Sequence, residues 1–305
     1  MRQKTTGIFF ILTAAVLFGI NGSLSRLLFD NGVTPVTLVE FRMIIGGLCL
    51  FGFLGIRQRH ALKLPQRALG WILALGLVLA LVTYTYFVSI SAIPIAITLV
   101  LQFTAPAWML LVGSIWRRRL PSWYVVGAII LTIGGVVLVT GIWQQHINGL
   151  NSIGLLFAFF ALLTFIGYLM LGRKVGEYVT PVPATAYGAL GASLFWLIVQ
   201  PPWSIPASTW NPHTFFLIVM VGIIGMALPF SLELAGLRLL DATRAGIAAM
   251  FELPASAIIA FFWLKQSLDL WQLLGCALVL VGITIVQLEK PDKQETRSAS
   301  TENIA

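Results

Sequence analysis

Apolar residues run along this chain in long stretches, and short polar segments separate one stretch from the next. A helix rises about 1.5 Å per residue, so about 20 apolar residues cross the roughly 30 Å hydrocarbon core of a bilayer. These stretches predict ten transmembrane helices, near residues 7–29, 35–56, 68–90, 92–116, 122–142, 150–172, 183–201, 213–239, 242–264 and 268–288. The pattern therefore predicts an all-α integral membrane protein.

Composition supports this class. Of the 305 residues, 58% are apolar and only 10% are charged, and the mean hydropathy is +0.93. A soluble globule of this length would need more polar surface. The segments between the stretches, such as "FDNGVTP" and "QQHINGLN", are too short for a soluble domain. Residues 289–305 are polar and without periodicity, which predicts a disordered tail.

Motifs for catalysis or metal binding are not found in the sequence. The two cysteines, Cys49 and Cys276, lie in apolar runs, and the three histidines are far apart in polar segments. There is no phosphate-binding "GxxxxGK[ST]" motif and no nucleophile beside a histidine. We therefore expect no catalytic residue, no metal site and no cofactor.

Lysine and arginine collect in alternate polar segments, the asymmetry that orients membrane proteins with these residues in the cytoplasm. With a cytoplasmic amino terminus, the inside residues are Arg2, Lys4, Arg57, Arg59, Lys63, Arg67, Arg117, Arg118, Arg119, Arg173, Lys174, Arg238, Arg244, Lys290, Lys293 and Arg297. Outside segments hold only Arg26 and Lys265, and Arg42 lies within a span. Both termini are thus predicted in the cytoplasm, and the net charge of +8 reflects orientation in the cell membrane rather than a nucleic-acid surface.

The two halves of the chain resemble each other. A shift of 148 residues superposes, without a gap, Gly19 on Gly167, Pro35 on Pro183, Phe103 on Phe251, Pro106 on Pro254, Trp123 on Trp271, Gly127 on Gly275 and Gly134 on Gly282. Residues 1–148 and 149–288 are therefore predicted as repeats of five helices each. Because five is odd, the second repeat enters the membrane from the opposite side, which is the inverted-repeat architecture of alternating-access transporters.

Two equivalent segments carry a family resemblance, "FTAPAWMLLVGSIWRRRLPSWYVVGAIILTIGGVVLV" and "FELPASAIIAFFWLKQSLDLWQLLGCALVLVGITIV". With the fourth-helix proline, the "LxxWxxxG" that follows and the arginine of the second helix, the chain resembles the EamA family of the drug/metabolite transporter superfamily over about residues 7–288. The resemblance implies export of small metabolites, among which family members carry amino acids, sugars and purines. Members often have a glutamate after the fourth helix, where this chain has Arg118 and Gln266.

Two charges interrupt the second apolar stretch, Glu40 and Arg42. A charge at the bilayer centre costs about 2.5–3.5 kcal/mol on insertion scales, so each needs compensation. Two residues on a helix are about 200° apart around its axis, so the two side chains are poorly placed to pair. We expect Glu40 to reach the outer headgroups or water. We expect Arg42 to meet Glu252 or a substrate carboxylate, and the alternative is a structural tie to a backbone carbonyl or a carboxylate between helices.

Two further acids lie in the second half, where Glu233 and Glu252 stand in the places of Thr85 and Thr104. An apolar surrounding favours the uncharged form of a carboxyl group, so such an acid can exchange protons in use. We interpret both as candidates for substrate binding and Glu252, near the midplane, as a candidate for proton coupling. The alternative for each is an acid held in a pair between helices.

Polar and aromatic residues in neighbouring spans suit a small-molecule cavity. The further candidates for substrate binding are Asn21, Tyr84, Gln102 and Tyr168. Other polar residues nearby are Ser23, Thr83, Tyr86, Tyr187 and Ser231. Hydrogen bonding between helices is the alternative role for every one of them.

Prolines and glycines recur at equivalent places in the two halves. Pro106 and Pro254 lack a backbone N–H and are predicted to kink the fourth and ninth helices, as moving or as static bends. Two glycine pairs at a spacing of seven residues share a helix face and are predicted to let the fifth and tenth helices pack closely. They are Gly127 with Gly134 and Gly275 with Gly282.

These features predict a secondary transporter of small metabolites, an exporter by family resemblance, in which amino acids or related small polar compounds cross the cytoplasmic membrane by alternating access. The expected partners are a small-molecule substrate, membrane lipid and a coupling proton, with no nucleic acid. One alternative is a membrane-embedded sensory or structural protein that binds a ligand without moving it. Another is a channel-like facilitator.

Overall fold

The structure is a computed structural model that describes residues 2–93, 95–117, 121–141, 151–263 and 269–288. The described residues form helices and no strand. The α-helices are α1 (Arg2–Asp30), α2 (Pro35–Arg57), α3 (Leu69–Ala92), α4 (Ile95–Gln102), α5 (Ala105–Arg117), α6 (Trp123–Thr140), α7 (Ser152–Val175), α8 (Pro181–Val199), α9 (Pro212–Gly222), α10 (Leu228–Leu239), α11 (Ala242–Ala249), α12 (Glu252–Trp263) and α13 (Leu270–Leu288). The predicted tail, 289–305, lies outside the described residues.

Eight helical runs among the described residues are long and apolar enough to cross a bilayer. They are Gln3–Phe29, Pro35–Arg57, Gln66–Ala92, Ile97–Trp116, Trp123–Thr140, Ser152–Val175, Pro181–Val199 and Pro212–Leu239. The tenth predicted span corresponds to a shorter apolar helix, Leu270–Val286, and the ninth is divided into α11 and α12. The all-helical membrane class is thus confirmed. Eight runs and one shorter apolar helix are found among the described residues, so the predicted count of ten is not confirmed.

Helix starts follow local sequence. The Asn151 side chain accepts hydrogen bonds from the backbone N–H groups of Ile153 and Gly154, and so begins α7. Thr34 and Asn211 cap α2 and α9 in the same way, each with a proline at the next position. A side-chain acceptor satisfies the unpaired N–H groups of a first helical turn, and proline loses nothing there. Polar loop residues therefore set where these spans begin.

Packing brings the two halves of the chain into extensive contact. The largest helix pairs are α6 with α13, α3 with α7, α1 with α10, and α2 with α8. Gly275 and Gly282 face α6 so closely that a Cβ atom would meet its backbone at 2.6 and 2.8 Å, respectively. The predicted role was wrong for Gly127 and Gly134, where an added Cβ would meet nothing within 4 Å, because α6 contacts α13 through Gly135 instead.

The predicted fourth, eighth and ninth spans are not regular helices. Turns at Phe103–Thr104 and Met250–Phe251 separate α4 from α5 and α11 from α12. Each turn lies just before a predicted kink residue, Pro106 or Pro254, whose missing N–H leaves the carbonyl four residues earlier without its helical donor. In the eighth span a π-helical segment, Ile223–Ala227, joins α9 to α10. These irregular places surround one cavity.

Candidate substrate-binding cavity

A cavity lies where the two halves meet, and helices of both halves line it. Its volume is about 690 Å³, counted as all the space between atoms and including the part open to solvent. Six of the seven residues predicted to bind substrate line it: Asn21, Arg42, Gln102, Tyr168, Glu233 and Glu252. Aromatic walls complete it, from Phe18, Tyr86, Phe103, Phe165 and Phe230. This mixture of apolar walls and few polar groups is typical of small-molecule sites.

Arg42 projects from α2 into this cavity and is only 3% exposed. Its Nη2 donates a hydrogen bond to the carbonyl oxygen of Gly225 in the π segment. The guanidinium carbon also lies 5.6 Å from the ring centre of Phe87 and 5.5 Å from that of Phe230. A cation held over aromatic faces and bonded to a carbonyl is partly compensated for the water that it loses.

The predicted ion pair between Arg42 and Glu252 is not made: no carboxylate oxygen lies within 4.0 Å of the guanidinium in the part of the chain that the structure describes. Instead, the Arg42 guanidinium bonds the Gly225 carbonyl that the π segment presents. Glu252 is still near enough for its charge to act on Arg42 across the cavity. It acts also on Glu233. One cation and two acids thus line the same cavity.

Glu233 and Tyr168 form the other polar part of the lining. Both are almost fully buried, at 3% and 1% exposure. The two side chains are close enough to interact electrostatically. The Tyr168 hydroxyl nevertheless has no hydrogen-bond partner of normal geometry in the protein. Its ring packs edge-on against Phe230 at 5.5 Å, so Phe230 separates this pair from Arg42.

Several buried polar atoms of the lining lack a hydrogen-bond partner in the protein. They are Asn21 Oδ1, Arg42 Nε, Gln102 Oε1 and the Tyr168 hydroxyl. An unpaired buried polar group costs about 1–3 kcal/mol, and each such group in a native protein needs an explanation. Here the free atoms include both donors and acceptors around one space. The arrangement can therefore hold a small molecule that carries charged and hydrogen-bonding groups.

Tyr84 is the predicted site residue that the structure places outside the cavity lining. Its ring contacts Trp196 at 4.9 Å and Phe157 at 5.9 Å, on α8 and α7. Tyr86, two residues later, is turned about 200° around the same helix and lines the cavity instead. The helices that pack on α3 decide which of the two tyrosines faces the cavity, and the sequence does not show which helices those are.

The other polar residues of the predicted cavity have partners inside the helix bundle. The Tyr187 hydroxyl donates to the Leu62 carbonyl, and the Ser231 hydroxyl donates to the Ala227 carbonyl. Thr83 lines the cavity but donates to Leu79. The Ser23 side chain lies outside the described part of the protein. Ser231 thus bonds its own helical span and Tyr187 bonds the segment between α2 and α3, so neither makes the predicted bond between membrane helices, and neither lines the cavity.

Glu40 does not reach the headgroups, contrary to expectation, because it is only 1% exposed and its Oε2 has no partner in the protein. It lies on α2, which packs against α8 and α9, so neighbouring helices cover it. It is not part of the cavity lining. Its burial is a feature for which we have no functional account.

The predicted alternative for Arg42, a tie to a backbone carbonyl between helices, agrees with its bond to the Gly225 carbonyl. The sequence reasoning did not identify Gly225 as the partner, and it missed the rings of Phe87 and Phe230. One signal for the carbonyl was present. Pro229 stands four residues after Gly225 and has no N–H to donate to it, so a free carbonyl inside a span was predictable. The two rings carried no comparable signal, since phenylalanine is frequent throughout the chain.

Comparison with known proteins identifies the family of the chain. The family model of the EamA-like transporter family matches residues 5–141 and 152–288. The chain is 26% identical over 294 residues to the threonine/homoserine exporter RhtA of Escherichia coli (strain K12), covering 92% of each protein. It is 27% identical to the uncharacterized inner membrane transporter YicL of Salmonella typhimurium (strain LT2), covering 95% of this chain and 97% of that protein.

A solved crystal structure has the same fold, with a TM-score of 0.76 at 17% identity, over 93% of this chain and 97% of the other. The chain belongs to the EamA-like transporter family, which confirms the resemblance stated from the sequence. It is a multi-span membrane transporter of the drug/metabolite transporter type.

Proposed function

We propose that this transporter is a secondary exporter of amino acids or closely related small polar compounds, working by alternating access. The observation that carries the proposal is the central cavity, in which one buried arginine and two acids surround unpartnered polar atoms. A zwitterion offers a carboxylate for Arg42 and an ammonium group for Glu252 or Glu233. The name of the E. coli relative, a threonine/homoserine exporter, supports the same substrate class.

Flux tests the substrate class. The purified protein in proteoliposomes should exchange external radiolabelled L-threonine for internal unlabelled L-threonine, and the rate should saturate with concentration. A transporter gives saturable exchange, a channel gives flux that rises without saturation, and a sensory protein binds without flux. Absence of exchange with every amino acid tried would remove the proposed substrate class.

We propose ten spans in two inverted repeats, residues 1–148 and 149–288. Helix pairing supports this arrangement. Under the 148-residue shift, the pair of α1 with α10 corresponds to the pair of α7 with α3. The pairs of α2 with α8 and of α6 with α13 each join a helix to its own counterpart. Reciprocal pairing of this kind is what a two-fold relation between repeats requires.

We propose that both termini face the cytoplasm of the cell membrane. Single cysteines introduced at Gln145 and Ser208 should react with a membrane-impermeant thiol reagent in intact cells. Cysteines at Arg59 and Ser298 should react only after the cells are opened. The opposite labelling would overturn both this orientation and the inverted relation of the repeats.

We further propose that Glu252 couples transport to protons. It is half-buried in the cavity, at the start of α12 just after a helix break, and its charge acts on Arg42 and on Glu233. Uptake of a proton would neutralise Glu252, and the ammonium group of a substrate would compete for its ionised form. Substrate and proton would then leave this site in alternation.

Proteoliposomes with an imposed pH gradient test the coupling. Wild type should accumulate L-threonine against its gradient, whereas Glu252→Gln should still exchange it but not accumulate it. Glu40→Gln is the matched control, because Glu40 is a buried acid outside the cavity. Equal accumulation by wild type and Glu252→Gln would show that Glu252 does not carry the proton.

A further inference from the structure

The π segment of the eighth span, Ile223–Ala227, lies beside the cavity and holds the main partner of Arg42. A π turn contains an extra residue and disrupts the regular bonding of a helix, and such turns recur at functional sites. Proline contributes to the disruption here. Since Pro229 has no N–H, the Gly225 carbonyl lacks the donor that it would have in a regular α-helix.

The Gly225 carbonyl is therefore satisfied by a side chain from the other half, the guanidinium of Arg42. A carbonyl buried without a donor is costly, so this one bond stabilises the irregular turn. It also connects α2 directly to the joint between α9 and α10. Whatever removes Arg42 from this carbonyl must change the bonding of the joint.

Glycines hold the π segment close to α1 and α2. A Cβ atom at Gly225 would collide with the Asn21 side chain of α1. A Cβ at Gly222 would meet the Ile45 side chain of α2 at 2.7 Å. The Met226 side chain of the π segment also lies against Gly46 of α2. The π segment is thus closely packed on α1 and α2, and a change in its bonding is transmitted to both helices by direct contact.

Arg42 has donors left for a ligand. Its Nε has no hydrogen-bond partner in the protein, although the side chain is only 3% exposed and lines the cavity. Asn21 Oδ1, which lies against Gly225 and also lines the cavity, is likewise unpartnered, and Asn21 is 5% exposed. A guanidinium binds carboxylates through two parallel N–H groups, and such charge-assisted bonds are stronger than a bond to an amide carbonyl.

We infer that Arg42 is a carboxylate-operated latch: a substrate carboxylate takes its guanidinium from the Gly225 carbonyl and so releases the π segment. The freed carbonyl then accepts from the Phe230 N–H, five residues on. That N–H leaves its α-helical acceptor, the Met226 carbonyl, so the exchange extends the π turn. That extension turns Phe230 and Glu233 in the cavity and bends α9 relative to α10. The identity of the carboxylate rests on the proposed function. The bond between Arg42 and the Gly225 carbonyl, and its effect on the π segment, do not depend on which substrate binds.

Pro229→Ala tests the latch without any ligand, because an alanine N–H can bond the Gly225 carbonyl within the helix. Spin labels at exposed His213 and Arg238, with Cys49 and Cys276 replaced by serine, report the bend between α9 and α10. The distance in Pro229→Ala should differ from wild type on the order of 1.5 Å, the rise of one residue.

Two controls accompany this variant. Pro181→Ala replaces a proline at the first position of α8, where an N–H has no intrahelical acceptor, and should leave the label distance unchanged. Labels at Leu69 and Ser91 span α3, the unbroken counterpart of the eighth span, and should show no change in any variant. Equal label distances in ligand-free wild type and Pro229→Ala would overturn the latch, whatever the substrate is.

Ligand binding tests the carboxylate. L-threonine should change the His213–Arg238 distance in wild type. It should bind Pro229→Ala more tightly, because in that variant Arg42 no longer has to leave the Gly225 carbonyl. The methyl ester of L-threonine lacks the carboxylate and should bind wild type at least about tenfold more weakly than L-threonine does. L-threonine should bind Arg42→Gln at least about tenfold more weakly than it binds wild type. Equal binding of threonine and its ester would overturn the carboxylate part. A ligand-free shift in Pro229→Ala together with no threonine exchange by wild type would support the latch and reject the proposed substrate.

Discussion

The third and eighth spans occupy equivalent places in the two halves, yet only the third is a regular helix. α3 runs unbroken from Leu69 to Ala92, whereas the eighth span contains the π segment. The shift of 148 residues pairs Leu77 with Gly225, Leu81 with Pro229 and Thr85 with Glu233. Three substitutions along one helix therefore distinguish a structural span from one that presents a carbonyl and a carboxyl group to the cavity.

The side chains at these places behave accordingly. The Thr85 hydroxyl donates to the Leu81 carbonyl and contacts the Thr164 hydroxyl, so its hydrogen bonds stay within the bundle. Glu233 lines the cavity. Arg42 shows the reverse bias, because its counterpart in the second half is Leu190, which is 42% exposed. The first half thus supplies the cation of the site and the second half supplies the acids, although both halves share one helical framework.

The largest expected effect comes from making the second helix resemble its counterpart. Arg42→Leu removes the donor of the buried Gly225 carbonyl and the cation beside two acids. Leaving the buried Gly225 carbonyl without a donor costs about 1–3 kcal/mol, and the two acids also lose the nearby cation. We expect the purified variant to lose stability by about that amount in thermal unfolding and to lose threonine exchange.

Leu190→Met is the control for Arg42→Leu and should unfold like wild type. A double-mutant cycle of Arg42→Gln with Glu252→Gln measures the coupling across the cavity, expected at about 0.5–3 kcal/mol. Strictly additive losses would mean that the Glu252 charge does not act on Arg42.

A second comparison concerns glycines at equivalent places in α6 and α13. Gly275→Ala forces a Cβ into the Val139 nitrogen and the Gly135 carbonyl of α6, at 2.6 and 2.7 Å. Overpacking of this kind costs about 1–3 kcal/mol. Its counterpart Gly127 meets nothing, so Gly127→Ala should be neutral or stabilise by up to about 1 kcal/mol. Similar unfolding temperatures for the two variants would contradict the packing of α6 on α13.

Replacing Glu233 of the eighth span by threonine, the residue at the equivalent place in the third span, should have a smaller effect, which is on binding. Glu233→Thr should weaken L-threonine binding about tenfold, the loss of one hydrogen bond to a charged group. Thr85→Val should bind normally, because the Thr85 hydroxyl faces the bundle. Calorimetric titration of both variants checks this. If Thr85→Val also lost affinity, the two halves would contribute more equally to the site than we propose.

The smallest effect separates two neighbouring tyrosines of α3. Tyr86→Phe removes a hydroxyl from the cavity lining and should weaken threonine binding a few-fold, corresponding to about 0.5–1.5 kcal/mol. Tyr84→Phe keeps the ring contacts with Trp196 and Phe157 and should bind as wild type. If only Tyr84→Phe bound threonine more weakly, Tyr84 rather than Tyr86 would belong to the binding site.

Residues that violate the apolar pattern were readable from the sequence. Arg42, Glu233 and Glu252 stand out because a charge in a span is costly unless something compensates it, and all three line the cavity. Glu40 stands out for the same reason but is buried elsewhere. Hydropathy therefore marks a residue that needs a partner without saying whether that partner is a ligand, a backbone group or a neighbouring helix.

The sequence by itself determined the membrane class, the family and the residues at which charge and proline break the apolar pattern, because a bilayer constrains each span separately and locally. Tertiary structure alone decided that Arg42 meets the Gly225 carbonyl and not Glu252, and that Tyr86 and not Tyr84 faces the cavity. Partners across helices depend on the rotation and depth at which each helix packs. Those are set by side-chain contacts summed over all neighbours, and no single segment of the sequence contains them.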